Sequence, residues 1–144
     1  MLLYRIGKTK YARDLTGVGA KLNGGRWNHE GIPCIYLTES RALSLLEFTA
    51  HVNADLIPPT LSFTTVSLPD HSIRELTANE LPANWLLRPH CRESRDLGST
   101  LLSTKEWLLL KVPSDIIDQE FNYVLNPLHP LIGTVKIMDV NIFR

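Results

Sequence analysis

The stretch CIYLTESRALSLLEFTAHV, residues 34–52, places a short β-prone run directly before a helical pattern. We predict a strand over Cys34–Leu37, because aliphatic and aromatic residues dominate it and glycine and proline punctuate the chain just before it. We predict a helix from Ser40 to about Val52, because the serine hydroxyl can accept a hydrogen bond from a first-turn amide and good helix formers follow. A strand that passes straight into a helix indicates a domain that mixes both element types.

The predicted helix is apolar around most of its circumference. One face carries Leu43, Leu46 and Ala50, and further apolar side chains widen it at positions 45, 48 and 52. Coverage this broad predicts a mostly buried helix. The remaining polar strip, with Ser44, Glu47 and His51, either meets water or lines a pocket, and the helical spacing does not choose between the two.

Outward from this segment, the chain alternates apolar runs with turn formers. Half of the eight glycines fall at residues 17–25, which we predict to be loop. Residues 70–100 are polar and turn-rich, with a short helix predicted at Ser94–Ser103. Further strands are predicted at Leu2–Ile6, Thr60–Leu68, Trp107–Val112 and Thr134–Phe143. These elements predict an α/β (α+β) fold: a single domain over residues 1–144, with a twisted mixed sheet and flanking helices.

Composition excludes several function classes. With 144 residues, 44% of them hydrophobic, the chain can bury the core of one domain but not of several. Fifteen basic residues balance fifteen acidic ones, which argues against a dedicated nucleic-acid binder. We expect a cytoplasmic protein, since no leader or membrane-length apolar stretch is evident. Cys34 and Cys91 are far apart in sequence, so we expect reduced thiols.

The segment Gly24-Gly25-Arg26-Trp27-Asn28 is the most informative for chemistry. The two glycines permit close backbone approach, and the planar guanidinium of Arg26 suits phosphate or carboxylate oxygens. A loop of this kind can hold a pyrophosphate. The alternative is a tight turn with a solvated arginine and a core tryptophan.

Each of the other candidate residues has a structural interpretation beside the functional one. Glu47 is either a carboxylate in a wet cleft or part of a solvated helix face. Tyr36 is either a substrate platform or a core aromatic with a bonded hydroxyl. Ser114 and Asn122 either belong to a site or close turns, as such residues usually do. We predict no bound metal, because the histidines at 29, 51, 71, 90 and 129 lack ligand spacing.

Taken together, several short motifs resemble the RES-domain toxin family. They are Tyr4-Arg5, GGRWN at 24–28, GIPCIY at 31–36, ESRALSLLE at 39–47, VPS at 112–114 and EFNYVLNPLHP at 120–130. Their order and spacing match from Arg5 to Pro130, nearly the whole chain. Each string is weak alone, whereas the set is specific.

The resemblance implies a fold similar to ADP-ribosyltransferases and an activity that destroys NAD+. It implies hydrolysis or phosphorolysis of the nicotinamide–ribose bond, with no cofactor beyond NAD+ as substrate and inorganic phosphate as a candidate co-substrate. The residues that it implies for the site have different tasks. Arg5 and Arg26 would meet the anionic part of NAD+, Tyr36 the nicotinamide or its ribose, and Glu47 the reacting carbon, while Ser114 and Asn122 would shape the pocket.

The resemblance also implies a partner. A toxin of this kind is expected to pair with an antitoxin that carries a helix-turn-helix DNA-binding region, so that DNA is contacted only through the antitoxin. No membrane partner is expected, and a homodimer is left open. Two alternatives remain: an ADP-ribosyltransferase that modifies a macromolecule, and a non-enzymatic regulatory module that binds a partner.

Overall fold

The computed structural model describes residues 1–51 and 60–144, and its strands form one mixed sheet. The strands in these two ranges are β1 Leu2–Lys8, β2 Ile35–Thr38, β3 Leu61–Ser67, β4 Ile73–Glu75, β5 Leu109–Pro113, β6 Phe121–Leu125 and β7 Lys136–Ile142. Their order in the sheet is β4-β5-β6-β2-β1-β3-β7. Strands β4 and β5 run parallel, and the other neighbouring pairs among these strands are antiparallel. The predicted mixed sheet with accompanying helices is therefore confirmed.

Three α-helices accompany the sheet in the described part of the chain: α1 Val18–Asn23, α2 Arg41–His51 and α3 Arg92–Thr104. The predicted start of α2 is confirmed, because the Ser40 hydroxyl accepts the amide hydrogen of Leu43 at 3.0 Å. The helix reaches His51, whereas Val52 lies outside the described residues. The predicted helix at 94–103 is confirmed as α3, whose first turn is capped by the Cys91 sulfur.

The core lies where the central strands meet the helices. The strand predicted at Trp107–Val112 is confirmed as β5, which lies inside the sheet between β4 and β6. Leu109 of β5 pairs with Leu125 of β6, and both are fully buried. Burial of such side chains supplies the main stabilisation of the domain, about 1.5–3 kcal/mol for each large aliphatic residue.

The predicted loop at residues 17–25 is wrong in its middle, where α1 forms. Gly17 lies before this helix with φ of +74°, a conformation that favours glycine. A Cβ at Gly17 would also lie only 2.8 Å from the backbone nitrogen of Cys34. The glycines therefore bound a short helix rather than exclude one.

Two other expectations fail because they depend on tertiary contacts between elements. Helix α2 is not mostly buried: Leu43 and Ser44 are, but Leu46 is 45% exposed. Among the described residues the helix packs on β1 and β2, and Ala42, Leu46 and Ala50 remain exposed. The sequence also gave no prediction for β4 or β6, and Asn122 lies within β6 rather than in a turn.

Helix α3 approaches the segment at 24–28 closely, and Gly98 permits this approach. A Cβ at Gly98 would overlap the carbonyl oxygen of Trp27, which is backbone and cannot rotate away. Gly19, also within a helix, has open space around its own Cβ position. The two glycines therefore form a matched pair.

We expect Gly98→Ala to lower the free energy of unfolding by about 1–3 kcal/mol through overpacking. Gly19→Ala should leave stability unchanged or raise it by up to about 1 kcal/mol, since alanine favours helix. Urea denaturation of both variants checks this expectation. Equal stability of the two proteins would contradict the close approach of α3.

Candidate active site

A cavity of about 300 Å³ opens beside the middle of the sheet, and it gathers most of the predicted residues. Its wall is built by β1, the 24–27 loop, β2, α2 and the ends of β5 and β6. Five of the six predicted site residues line it: Arg5, Arg26, Tyr36, Glu47 and Asn122. The sixth, Ser114, lies one hydrogen bond behind the wall. The structure thus brings together residues spread over 118 positions of sequence, from 5 to 122.

Glu47 is held by two side chains from adjacent strands. Its Oε1 accepts a hydrogen bond from Ser114 Oγ at 2.7 Å and another from Asn122 Nδ2 at 2.8 Å. These residues are neighbours because Val112 pairs with Asn122 across β5 and β6, and Ser114 follows two positions later. The carboxylate of Glu47 is therefore fixed over the strand ends.

The direction of the Ser114 hydrogen bond follows from its other partners. The hydroxyl oxygen accepts the amide hydrogens of Ile116 at 3.0 Å and Ile117 at 3.1 Å. With both acceptor positions filled, its single proton is left to point at Glu47. Ser114 therefore serves both the turn after β5 and the carboxylate.

Tyr36 joins the cavity wall to the 24–28 segment. Its hydroxyl donates to Asn28 Oδ1 at 2.6 Å and accepts the amide hydrogen of Trp27 at 3.0 Å. Burial raises the pKa of Tyr36 well above its ordinary value, so the hydroxyl stays neutral and remains a donor. A Cβ on Gly25 would overlap this hydroxyl, which explains why this position of the 24–28 segment is glycine.

Asn28 fixes the same segment from the other side. The residue is fully buried, and its amide nitrogen donates to the carbonyls of Ala20 and Ile32, both at 2.9 Å. Together with the Tyr36 contact, these bonds satisfy both ends of the side-chain amide. Asn28 is therefore a structural residue of the loop.

Arg26 is buried rather than solvated, with 7% of its surface exposed, so the tight-turn alternative is wrong on this point. Its Nη2 donates to Asp115 Oδ2 at 2.8 Å, and its Nη1 donates to the carbonyl of Trp85 and, at 3.4 Å, to that of Leu87. Trp27 is the core tryptophan that the same alternative expected. Arg26 thus lines the cavity while holding a distant segment.

Arg5 also lines the cavity. Its Nη2 donates to three carbonyls of the segment after β1, those of Tyr11, Ala12 and Asp14, at 3.0, 3.1 and 2.8 Å. Burial lowers the pKa of Arg5, and the charge of Asp14 opposes that shift. The three hydrogen bonds hold the positively charged guanidinium of Arg5 in the cavity wall.

Sequence reasoning missed three residues of the site. His90 lines the cavity, Trp85 stacks on Trp27 with ring centroids 5.9 Å apart, and Asp115 pairs with Arg26. The position of Asp115 directly after Ser114 was the one available signal. Nothing in the sequence pairs residues 26, 85 and 115.

Other features of the described residues bear on cofactors and compartments. Neither range, 1–51 nor 60–144, contains a cluster of three or more histidine, cysteine, aspartate or glutamate residues that could hold a metal ion. No helix in these ranges is long and apolar enough to span a bilayer. Both cysteines are buried free thiols, and burial raises the pKa of Cys34 to about 12.

We expect Tyr36→Phe to lower the free energy of unfolding by about 1–2 kcal/mol, because the Trp27 amide and the Asn28 oxygen both lose a buried partner. Tyr11→Phe is the control, since Tyr11 is 52% exposed. Denaturation midpoints of both variants and of the wild-type protein, measured side by side, check this expectation. If both variants match the wild-type protein, the hydroxyl does not hold the loop.

Comparisons with known proteins find similar sequences over nearly the whole chain. The family model described as RES domain matches residues 2–142. A Sphingobium protein named Prs ADP-ribosylating toxin is 38% identical over 136 residues, covering 92% of this chain and 84% of the relative. A Photorhabdus laumondii protein named Toxin Res is 34% identical over 147 residues, covering 99% and 94%.

The fold has a solved counterpart. A chain from the crystal structure of the M. tuberculosis MbcT-MbcA toxin-antitoxin complex superposes with a TM-score of 0.81 at 19% identity, covering 99% of this chain and 83% of that one. At this identity the likeness concerns the fold. The family model and the relatives, matched over nearly the whole length, show that this chain belongs to the RES domain family.

Proposed function

We propose that this protein is the toxin of a toxin–antitoxin pair and that it cleaves the nicotinamide–ribose bond of NAD+. The name Toxin Res, carried by relatives from Photorhabdus laumondii and Yersinia enterocolitica, supports the first part. The observation that carries the second part is the Glu47 carboxylate, held over the cavity by Ser114 and Asn122.

The chemistry of the bond explains why one held carboxylate is sufficient. Cleavage passes through an oxocarbenium-like state, and a fixed negative charge beside the reacting carbon stabilises it. Nicotinamide is a cation in NAD+ and leaves as a neutral molecule, so its departure needs no general acid. Glu47 supplies the charge, and its two hydrogen bonds hold the carboxylate in place before substrate arrives.

The rest of the wall suits the remainder of the substrate. Arg5 and Arg26 give the wall positive charge toward the pyrophosphate, and the Tyr36 ring offers an aromatic surface for nicotinamide or its ribose. Holding the reacting groups in one geometry contributes several kcal/mol to catalysis. A volume of about 300 Å³ lies at the small end of ligand pockets and fits the nicotinamide end of the molecule.

The acceptor of the ribosyl group decides the products. Water gives nicotinamide, ADP-ribose and a proton, whereas inorganic phosphate gives nicotinamide and ADP-ribose 1-phosphate. Incubation of purified protein with NAD+, with and without phosphate, distinguishes NAD+ glycohydrolase from NAD+ phosphorylase.

A second candidate is transfer of ADP-ribose to a macromolecule, favoured by the name of the Sphingobium relative, Prs ADP-ribosylating toxin. The same carboxylate serves this reaction, since only the acceptor differs. NAD+ labelled on its adenine half separates the two candidates: label on a macromolecule supports transfer, and label on free ADP-ribose supports degradation. A folded protein that does neither would favour a non-enzymatic regulatory module.

The proposed partner is an antitoxin with a helix-turn-helix DNA-binding region. Zero net charge over the whole chain agrees with DNA contact through the partner rather than through this protein. The NAD+ pool that the proposed activity consumes is cytoplasmic, so we place the protein there. A homodimer remains part of the proposal to be tested by its solution mass.

We expect Glu47→Gln to fold normally and to lose at least about 100-fold of its NAD+ cleavage, since the amide keeps the Oε1 acceptor but not the charge. Glu106→Gln, at an exposed position, is the matched control and should retain full activity. Nicotinamide release measured by chromatography checks both. Near-normal release by a folded Glu47→Gln protein would contradict the mechanism.

In cells, wild-type protein made without an antitoxin should lower total NAD+ and stop growth before membrane integrity fails. Glu47→Gln made at equal abundance should be tolerated, because its toxicity depends on turnover. Growth curves and NAD+ assays on the same cultures check this expectation. Equal toxicity of the two proteins, or arrest with an intact NAD+ pool, would contradict NAD+ depletion as the cause.

A further inference from the structure

Asp115 and Arg88, which form an ion-pair cluster with Arg26 beside the cavity, have no task in the proposed reaction. Asp115 Oδ2 accepts from Arg26 Nη2 at 2.8 Å and from Arg88 Nη2 at 2.6 Å. The Asp115 side chain is 4% exposed and that of Arg26 8%, whereas that of Arg88 is 40% exposed. One buried carboxylate therefore joins two guanidinium groups, and the cluster keeps a net charge of +1 (two positive, one negative).

The same arginines hold residues 82–91, which we call the strap. Arg26 donates to the carbonyls of Trp85 and Leu87 in the strap. Within the strap, Trp85 also stacks on Trp27, and His90 reaches the cavity wall. Arg26 therefore both lines the cavity and holds the strap beside it.

Arg88 links the strap to the helix that carries Glu47. Its Nη1 donates to the carbonyl of Ala50, one turn after Glu47 on α2, while its Nη2 reaches Asp115. Asp115 in turn follows Ser114, which holds Glu47 itself. Helix α2 and the end of β5 are consequently joined twice, once through Ser114 and once through Asp115 and Arg88.

We propose that Asp115 is a positioning residue that sets the Arg26 guanidinium in the cavity wall and fastens the strap to α2 through Arg88. Three hydrogen bonds to Asp115 and the strap fix the plane of the Arg26 guanidinium, which has five N–H donors in all. Without a second cation, the Asp115 carboxylate would cancel the charge of Arg26 and repel an anionic substrate. The guanidinium of Arg88 keeps this part of the wall positive. The effect on substrate rests on the proposed function, whereas the fastening of the strap does not.

The test compares Asp115→Asn, Arg88→Gln and the double variant with two controls, Asp118→Asn and Arg92→Gln, both at exposed positions. We expect Asp115→Asn to raise KM for NAD+ about tenfold with kcat within about threefold of wild type, because uniform binding is lost while Glu47 is untouched. Arg88→Gln should raise KM less. The double variant should match Asp115→Asn, since both changes break one contact network.

A second readout needs no turnover. Leu86 and Leu87 are 55% and 57% exposed, so thermolysin can cut the strap there once its backbone loosens. We expect Asp115→Asn and Arg88→Gln to raise the rate of this cut at least about tenfold under native conditions, and the controls to leave it unchanged.

Several results would overturn the proposal. A wild-type cutting rate in both variants would show that Asp115 and Arg88 do not fasten the strap. A change in kcat with KM unchanged would show that Asp115 is not a positioning residue for substrate binding. If Asp115→Asn does not fold, Arg88→Gln decides, because its side chain is partly in solvent: a wild-type cutting rate in that variant overturns the proposal. If the wild-type protein leaves NAD+ intact, the proposed function fails, and the cutting rate still decides whether Asp115 and Arg88 fasten the strap.

Discussion

One carboxylate oxygen, Oε1 of Glu47, joins helix α2 to two adjacent strands of the sheet. The bond from Ser114 requires the turn after β5, and the bond from Asn122 requires that β6 lie beside β5 in the observed register. A shift of β6 by one residue would turn Asn122 to the other face of the sheet. The position of the Glu47 carboxylate in the cavity wall therefore depends on the sheet register.

Around this carboxylate, the cavity wall is held by polar groups that are already paired within the protein. Asn28 and Tyr36 fix the loop, while Arg5 and Arg26 are anchored on carbonyls and on Asp115. Buried polar groups cost free energy unless they are satisfied, and these four side chains have hydrogen-bond partners within the protein. The result is a wall whose charges are set before any ligand binds, the condition under which electrostatic stabilisation is most effective.

The elements with strong local signals were predictable from sequence, and those that depend on tertiary contacts were not. Strand β2 and the Ser40 cap of α2 follow from composition and capping chemistry. Helix α1 was missed because glycines lie directly before, within and after it, at 17, 19 and 24, and β6 because Asn122 resembles a turn former until β5 is placed beside it. The partial exposure of α2 depends on how much of the sheet it covers, which no helical spacing encodes.

The site was predictable to a similar extent. The motif resemblance gave the six residues that the structure gathers at or behind the cavity, but not what they contact. Arg26 was expected to be available for anions, and the structure adds Asp115, which is 89 residues away in sequence. Long-range ion pairs of this kind leave no local pattern, so the contacts that join Arg26, Asp115 and Arg88 could be found only in the three-dimensional structure.

Proton NMR of NAD+ incubated with the purified protein follows the proposed cleavage at the nicotinamide–ribose bond itself. Signals of free nicotinamide should grow in step with the loss of NAD+, one molecule for each molecule consumed, with the adenosine diphosphate part intact. Persistence of the nicotinamide–ribose signals while NAD+ disappears, as cleavage at the pyrophosphate would give, would contradict it.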